Sequence, residues 1–129
     1  MMQRPPDVLM MFLELGTSTP FPTAWQDAAA RFEEARLDYL QRRRYADAAW
    51  RFLEAARLLL TIGGVHANNA AANRLVCYRN AWAAFSAAGK RAEGRAVLEP
   101  AAEADPINAD RIHNILESRR AFAPVEPRE

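Results

Sequence analysis

The chain has 129 residues, of which 50% are hydrophobic and 26% charged, a size that suits one domain with a modest buried core. Seventeen basic and sixteen acidic side chains give a formal net charge of +1. No strong overall field therefore attracts nucleic acid or an anionic membrane, and we expect neither as a partner.

The cysteine count and the hydropathy pattern favour a cytoplasmic protein. Cys77 is the sole cysteine, so no internal disulfide forms and a reducing compartment is the simpler assumption. The apolar run Val8–Leu15 is far shorter than the roughly 20 residues of a membrane span, and it lacks the flanks of a signal peptide. Abundant alanine and arginine, with Lys90 as the only lysine, suggest a GC-rich bacterial source.

Residues 1–22 are predicted to form an N-terminal arm. Asp7 can cap a short helix over Val8–Leu15, which Gly16 would end, and a loop with two prolines follows. Because two helical turns are not stable alone, this helix must dock on another surface. It either covers the open end of its own helical stack or lies in a groove that a partner would otherwise occupy.

The rest of the chain predicts an all-α domain over residues 23–122 and a disordered tail at 123–129. Scarce glycine, abundant alanine and apolar residues at helical spacing favour helix, and no segment favours a strand. The first four helices are expected at 23–41, 45–61, 66–88 and 91–104. A fifth, shorter helix follows and closes the stack.

Two of these helices have sequence signals for their first residue. Thr23, with Gln26 three residues later, forms a capping-box pattern at the start of the first helix. Asp105 is expected to cap the last helix, with Pro106 at its first position.

Two stretches of the chain repeat one order of large and small residues. The first stretch carries Phe32, Ala35, Tyr39, Ala48, Phe52 and Ala55. The second stretch, 46 residues further on, carries Tyr78, Ala81, Phe85, Gly94, Leu98 and Ala101. This order and spacing resemble the tetratricopeptide repeat, in which a helix with a large residue and a tyrosine precedes a helix with an A-x-x-x-F pattern.

The resemblance implies antiparallel helix-turn-helix pairs, stacked as a fragment of an α-solenoid with about five helices plus the short N-terminal helix. Family repeats recur about every 34 residues, so here the third helix or the joint at residues 63–69 carries extra residues. Without the resemblance, the same helices form an irregular all-α bundle whose alanine and aromatic pattern reflects close helix packing.

The sequence contains no recognisable catalytic, metal-binding or cofactor motif, and we expect a protein that is not an enzyme. His66 and His113 belong to no metal-ligand pattern and are interpreted as surface or helix-end residues. Cys77 is interpreted as a small packing residue. Gly63 and Gly64 lack the lysine of a phosphate-binding loop and are interpreted as a helix stop.

The resemblance also implies a concave binding surface formed by the first helix of each pair. Positions matched residue by residue place on it Glu33, Leu37, Arg79, Asn80, Ala83, Ser86, His113, Asn114 and Glu117. In one branch of the family, lysine, arginine and asparagine at such places hold a partner's C-terminal carboxylate, and Arg79 with Asn80 suit that chemistry. Glu33 stands where that branch has lysine. In the alternative, Arg79 and Asn80 are ordinary exposed polar residues.

Three asparagines on the third helix stand out, because asparagine competes for backbone hydrogen bonds within a helix. Asn69, Asn73 and Asn80 recur at helical offsets and predict a polar stripe that forms a hydrogen-bonding surface.

The first functional hypothesis is an adaptor or chaperone that binds a peptide or helical segment of another protein. The alternative is a structural subunit of a homodimer or of a larger bacterial assembly. Its contacts would come from the apolar residues Met10, Met11, Phe12, Trp50 and Leu53.

Overall fold

The computed structural model describes residues 22–118, and this part of the chain is all-α, as predicted. Its elements are α1 (Thr23–Leu40), α2 (Tyr45–Leu60), a 3-10 turn (Gly64–His66), α3 (Ala67–Ala87), α4 (Arg91–Ala104) and α5 (Ala109–Glu117). The helix and the tail predicted at 8–15 and 123–129 lie outside the described residues. None of the helices within residues 22–118 combines the length and the hydropathy that a membrane span requires.

Consecutive helices run antiparallel. Phe32 of α1 meets Phe52 of α2 edge to face, with ring centroids 5.2 Å apart. Trp50, near the start of α2, meets Phe85, near the end of α3, with centroids 5.6 Å apart. Phe85 in turn contacts Gly94, near the start of α4. Because α2 and α4 are both antiparallel to α3, they run parallel to each other.

Helix α3 lies at the centre of the fold. Fourteen of its 21 residues are buried, too many for a helix covered on one side only. Helices α2, α4 and α5 all pack on α3, whereas α1 packs mainly on α2. The first hairpin, α1–α2, is therefore joined to the rest of the domain through α2.

The close approach of α4 to α3 depends on Gly94. A Cβ added at Gly94 would lie 2.9 Å from the Cβ of Phe85 and 3.0 Å from two of its ring carbons. In the first hairpin the position 46 residues earlier holds Ala48, which is also fully buried. Small residues thus occupy the same place of the repeated pattern in both helix pairs.

Ion pairs around a buried carboxylate hold the corner between α1 and α2. Asp38 lies 3.0 Å from Nη1 of Arg42 and 2.8 Å from Nε of Arg51. Arg42 also lies 2.7 Å from Glu34. Arg43 has φ 55°, the left-handed region that disfavours a side chain. Arg42, in this arginine-rich corner, therefore makes its ion pairs within the turn between α1 and α2.

The structure corrects both predicted N-caps, although α1 does begin at Thr23. Pro22 occupies the N-cap of α1, and the side chain of Thr23 makes no capping hydrogen bond. At the other end, a turn precedes α5, which begins at Ala109 with Asn108 as N-cap. Asp105 does not cap that helix because its carboxylate binds groups on α3.

The predicted asparagine surface is also wrong. Asn69, Asn73 and Asn80 are buried. The side-chain amide of Asn73 donates to the backbone oxygen of Asn69 at 2.9 Å and to its side-chain oxygen at 3.1 Å. The amide nitrogen of Asn69 is buried without a hydrogen-bond partner among the described residues.

Candidate functional site

An open groove, with a volume of about 240 Å³, runs between α2 and α4 over the middle of α3. We call it the α2–α4 groove. It is lined by Leu53, Ala56, Arg57, Leu60, Tyr78, Val97, Pro100, Ala101 and Ala104. Seven of these nine side chains are aliphatic, so the α2–α4 groove presents a mainly apolar surface.

Each wall of the groove is one stripe of a helix. The residues from α2 and those from α4 both follow the spacing i, i+3, i+4, i+7, which places them on one helical face. Because the two helices are parallel and both lie on α3, their stripes face a shared space. Pro100, inside α4, adds ring carbons to its wall and has no backbone N–H there.

The groove has a buried floor and an accessible rim. Ala56 and Tyr78 form the floor and are 1% and 4% exposed. Leu60, at the end of α2, is 41% exposed although it is a large apolar residue. Pro100 and Ala104 on the opposite wall are also exposed. An apolar side chain brought to this rim would displace water from leucine and proline surface.

Among the described residues in the lining of the groove, Arg57 is the only charged side chain. It is exposed, and it makes no ion pair or hydrogen bond with another side chain of the described part. The neighbouring Glu54 is already paired, with its carboxylate 3.3 Å from Nε of Arg31. Among the described residues, the groove therefore combines an apolar interior with one positive charge at its rim that has no carboxylate partner.

A buried polar cluster supports the groove from below. Nε of Arg74 donates to Oδ2 of Asp105 at 2.7 Å, and Nη2 donates to Oδ1 at 3.1 Å. The hydroxyl of Tyr78 donates to Oδ2 of Asp105 at 3.0 Å, and the amide of Asn108 donates to the same oxygen at 3.1 Å. These bonds join α3 to the segment between α4 and α5. They hold the floor residue Tyr78 and the end of the α4 wall in one arrangement.

Burial and hydrogen bonding shift the pKa values within the cluster in opposite directions. Burial alone would raise the pKa of Asp105, but hydrogen bonds from Arg74, Asn108 and Tyr78, with the charge of Arg74, lower it below its ordinary value. Burial, followed by the charge of Asp105, raises the pKa of Tyr78 well above its usual range. Asp105 is therefore ionised and Tyr78 protonated at neutral pH, the states that their hydrogen bond requires.

The residues predicted for the concave surface lie on three helices that the structure does not all bring together. Glu33 and Leu37 belong to α1, which packs on α2 and has no extensive contact with α5. Glu33 is exposed and paired with Arg36 at 2.9 Å. The α3 and α5 residues sit on neighbouring helices. They are Arg79, Asn80, Ala83, Ser86, His113, Asn114 and Glu117.

Arg79 and Asn80, the two residues suited to a partner's carboxylate, differ in their exposure. Arg79 is exposed on α3, whereas Asn80 is 1% exposed, so its side chain is not accessible from solvent. Ala83 is buried, and the hydroxyl of the half-buried Ser86 is enclosed without a hydrogen-bond partner among the described residues. Successive residues of a helix point about 100° apart, which separates Arg79 from Asn80.

The predicted residues of α5 remain accessible. His113, Asn114 and Glu117 are all exposed. Glu117 borders a second cavity, of about 410 Å³, between α3, α4 and the end of α5. Arg95 spans part of this cavity, with Nη1 3.9 Å from Glu117 and Nη2 donating to the backbone oxygen of Leu116 at 3.0 Å.

The other candidate reactive residues are buried. His66 closes the 3-10 turn before α3 and is 5% exposed, so the prediction of a helix end holds and that of a surface position does not. Cys77 is fully buried, and burial raises the pKa of its thiol far above the ordinary value. Within residues 22–118, no three His, Cys, Asp or Glu side chains are grouped so that they could hold a metal ion.

The α2–α4 groove was not among the sites predicted from the sequence. Part of the signal was present, because Leu53 and Leu60 extend the apolar surface of α2 beyond the stripe that faces α1. No comparable signal marks α4, where the groove residues are alanines, a valine and a proline. Only the side-by-side placement of the two helices turns these residues into a site.

In comparisons with protein-family models, curated proteins and solved structures, no significant match to the chain is found. The resemblance to tetratricopeptide repeats therefore stays a prediction that rests on the repeated residue pattern.

Proposed function

We propose that the protein is a non-catalytic adaptor or chaperone that holds a segment of a partner protein in a helical groove. The observation that supports this best is the open, apolar α2–α4 groove with an exposed leucine at its rim. The repeated helix-pair pattern, typical of protein-binding scaffolds, supports the same function.

The size of the groove favours a segment of polypeptide over a small molecule. Sites for small molecules are usually clefts of about 300–1,000 Å³ that enclose most of the ligand. The α2–α4 groove, at about 240 Å³, is smaller and open to solvent. From Leu53 to Leu60 its wall spans about 10 Å, the length of two helical turns. One or two apolar side chains of a partner fill such a space.

A quantitative pull-down with the tagged full-length chain tests this function. We expect one stoichiometric partner with the wild type and its loss with the Leu60→Asp/Pro100→Glu double variant, which alters only exposed groove positions. Leu40→Asp is the matched control, because Leu40 is 53% exposed and outside the groove lining. The Arg79→Ala variant tests the concave surface separately.

The outcomes of this pull-down discriminate between the two surfaces. Loss of the partner from the double variant alone supports the α2–α4 groove, and loss from Arg79→Ala alone supports the concave surface. A partner retained by all variants contradicts both sites, and the absence of any partner contradicts the adaptor function.

The alternative function, a structural subunit of a homo-oligomer or larger assembly, is favoured by a different observation. Three exposed apolar side chains lie at the same end of the helical stack, where α2 ends and α4 turns into α5. Leu60, Val65 and Ile107 are 41%, 73% and 72% exposed. The mass in solution tests this alternative: a dimer at all concentrations that Val65→Asp/Ile107→Asp dissociates would support it, and a monomer would exclude self-association.

A further inference from the structure

The charge pattern of the α2–α4 groove leads to an inference about its partner, which rests on the function proposed above. We propose that the groove binds an amphipathic helical segment with two large apolar side chains one turn apart and a carboxylate that pairs with Arg57. Of the described residues that line the groove only Arg57 is charged, so the lining favours a negatively charged group beside it.

The apolar part of the recognition follows from the shape of the groove. The walls run parallel for about two helical turns, and the floor at Ala56 and Tyr78 is buried. Apolar side chains at i and i+3 or i+4 of a partner helix lie about 5–6 Å apart on one face. Two such side chains fit within the length from Leu53 to Leu60.

The charged part follows from the surroundings of Arg57. Its guanidinium is exposed and has no carboxylate partner in the described part of the chain, while Arg31 on the adjacent helix is paired with Glu54. A guanidinium binds a carboxylate through two parallel hydrogen bonds, which makes it selective for an acidic side chain. Apolar surface beside Arg57 lowers the local dielectric when a partner covers it, and this strengthens the pair.

The helix ends restrict where the carboxylate lies. Both walls end in the C-terminal turn of a helix, at Leu60 and Ala104, and helix C-termini carry partial negative charge. A carboxylate beyond Leu60 would face these two negative ends. Next to Arg57, three residues before Leu60 within the last turn of α2, it faces a positive charge. We therefore expect the acidic residue of the partner beside or between its apolar residues, and not past the end of α2.

A selection from a random 12-residue peptide display library against the full-length protein tests the proposal. We expect enriched peptides to share two large apolar residues three or four positions apart and an Asp or Glu near them. The same selection against Arg57→Glu should enrich Lys or Arg at that position. Arg111→Glu is the matched control, because Arg111 is exposed on α5 and also lacks a partner among the described side chains.

The enriched peptides are then synthesised, and their affinities are measured by fluorescence anisotropy. For the acidic peptides, Arg57→Glu should weaken binding about tenfold, and Arg111→Glu should change it less than about twofold. Unchanged melting temperatures of both variants exclude unfolding as the cause.

The outcomes separate this inference from the function on which it rests. Peptides that lose binding to the Leu60→Asp/Pro100→Glu variant but show no acidic preference would overturn the role of Arg57 and leave the groove in place. Peptides unaffected by that double variant would overturn the α2–α4 groove as their site. No enrichment above an unrelated helical protein would contradict both the inference and the proposed function.

Discussion

Matching positions of the two helix pairs are buried in both pairs, but they hold apolar residues in the first pair and hydrogen-bonded polar residues in the second. In the first pair Ala28, Phe32 and Leu59 are buried and apolar. The residues 46 positions later are Arg74, Tyr78 and Asp105, which are buried and joined by hydrogen bonds. The same places in the repeated pattern thus hold hydrocarbon in one pair and a buried ion pair in the other.

The difference shows how far an apolar joint and a polar joint between helices each fix the relative position of the segments that they connect. Apolar contacts contribute in proportion to the area removed from water and do not depend strongly on direction. Asp105 instead accepts hydrogen bonds from Arg74, Tyr78 and Asn108, and each bond constrains both distance and angle. The polar joint therefore fixes how the segment after α4 sits on α3, at the cost of taking two charges out of water.

The largest expected effect comes from removing one charge of that joint. Asp105→Ala leaves Arg74 buried without its carboxylate, and we expect the free energy of unfolding to fall by about 3–5 kcal/mol in urea denaturation. The Arg74→Met/Asp105→Leu double variant, which makes the second pair resemble the first, should recover most of this loss. If the double variant is as unstable as Asp105→Ala, apolar residues do not substitute for the ion pair. The pair would then add to the free energy of unfolding beyond offsetting the cost of burying its two charges.

Overpacking at the other contact between α3 and α4 is expected to cost less. Gly94→Ala places a Cβ 2.9 Å from the Cβ of Phe85, and we expect a loss of about 1–3 kcal/mol in the free energy of unfolding. Gly63→Ala is the control, since nothing lies within 4 Å of its added Cβ and its φ of −118° suits any residue. A neutral Gly94→Ala variant would mean that α4 shifts away from α3 without loss.

The smallest effect is expected from a change of pH, which tests the polar contact of the second helix pair without altering the volume of any side chain. The pKa of Asp105 is lower in the folded protein than its usual value of about 3.9. Its carboxylate therefore stabilises the fold fully above about pH 5, and this contribution is lost as the pH falls through the folded pKa. In urea denaturation, the stability difference between wild type and Asp105→Asn should shrink towards low pH. A difference that stays constant would show that Asp105 does not carry this acid sensitivity.

Helix positions were predictable because they depend on residues close in sequence. The second and fourth helices were expected at 45–61 and 91–104, and the structure has them at Tyr45–Leu60 and Arg91–Ala104. Their apolar spacing identifies the helices, and glycines follow shortly after the ends of α2 and α3. Gly89 has φ 72°, the left-handed conformation common just after a helix C-terminus.

The incorrect predictions involve polar residues whose partners are distant in sequence. Asp105 and Pro106 match a helix start, but the partner of Asp105 is Arg74, 31 residues earlier. Asn80 matches a polar surface residue, yet it is buried on the central helix. Local patterns contain no information on which side chains another helix will cover, so they assigned these residues to the wrong environment.

The sequence by itself determined that the described part of this protein is helical, where most of its helices begin and end, and which aromatic and alanine residues form the core. Helical periodicity and glycine stops depend on residues close in sequence, so they can be recognised without knowledge of the tertiary structure. Only the tertiary structure decided that α2 and α4 form the walls of a groove and that Arg57 lies at its rim. It also decided that Asp105 binds Arg74. Both results depend on helices meeting that are separated by tens of residues along the chain.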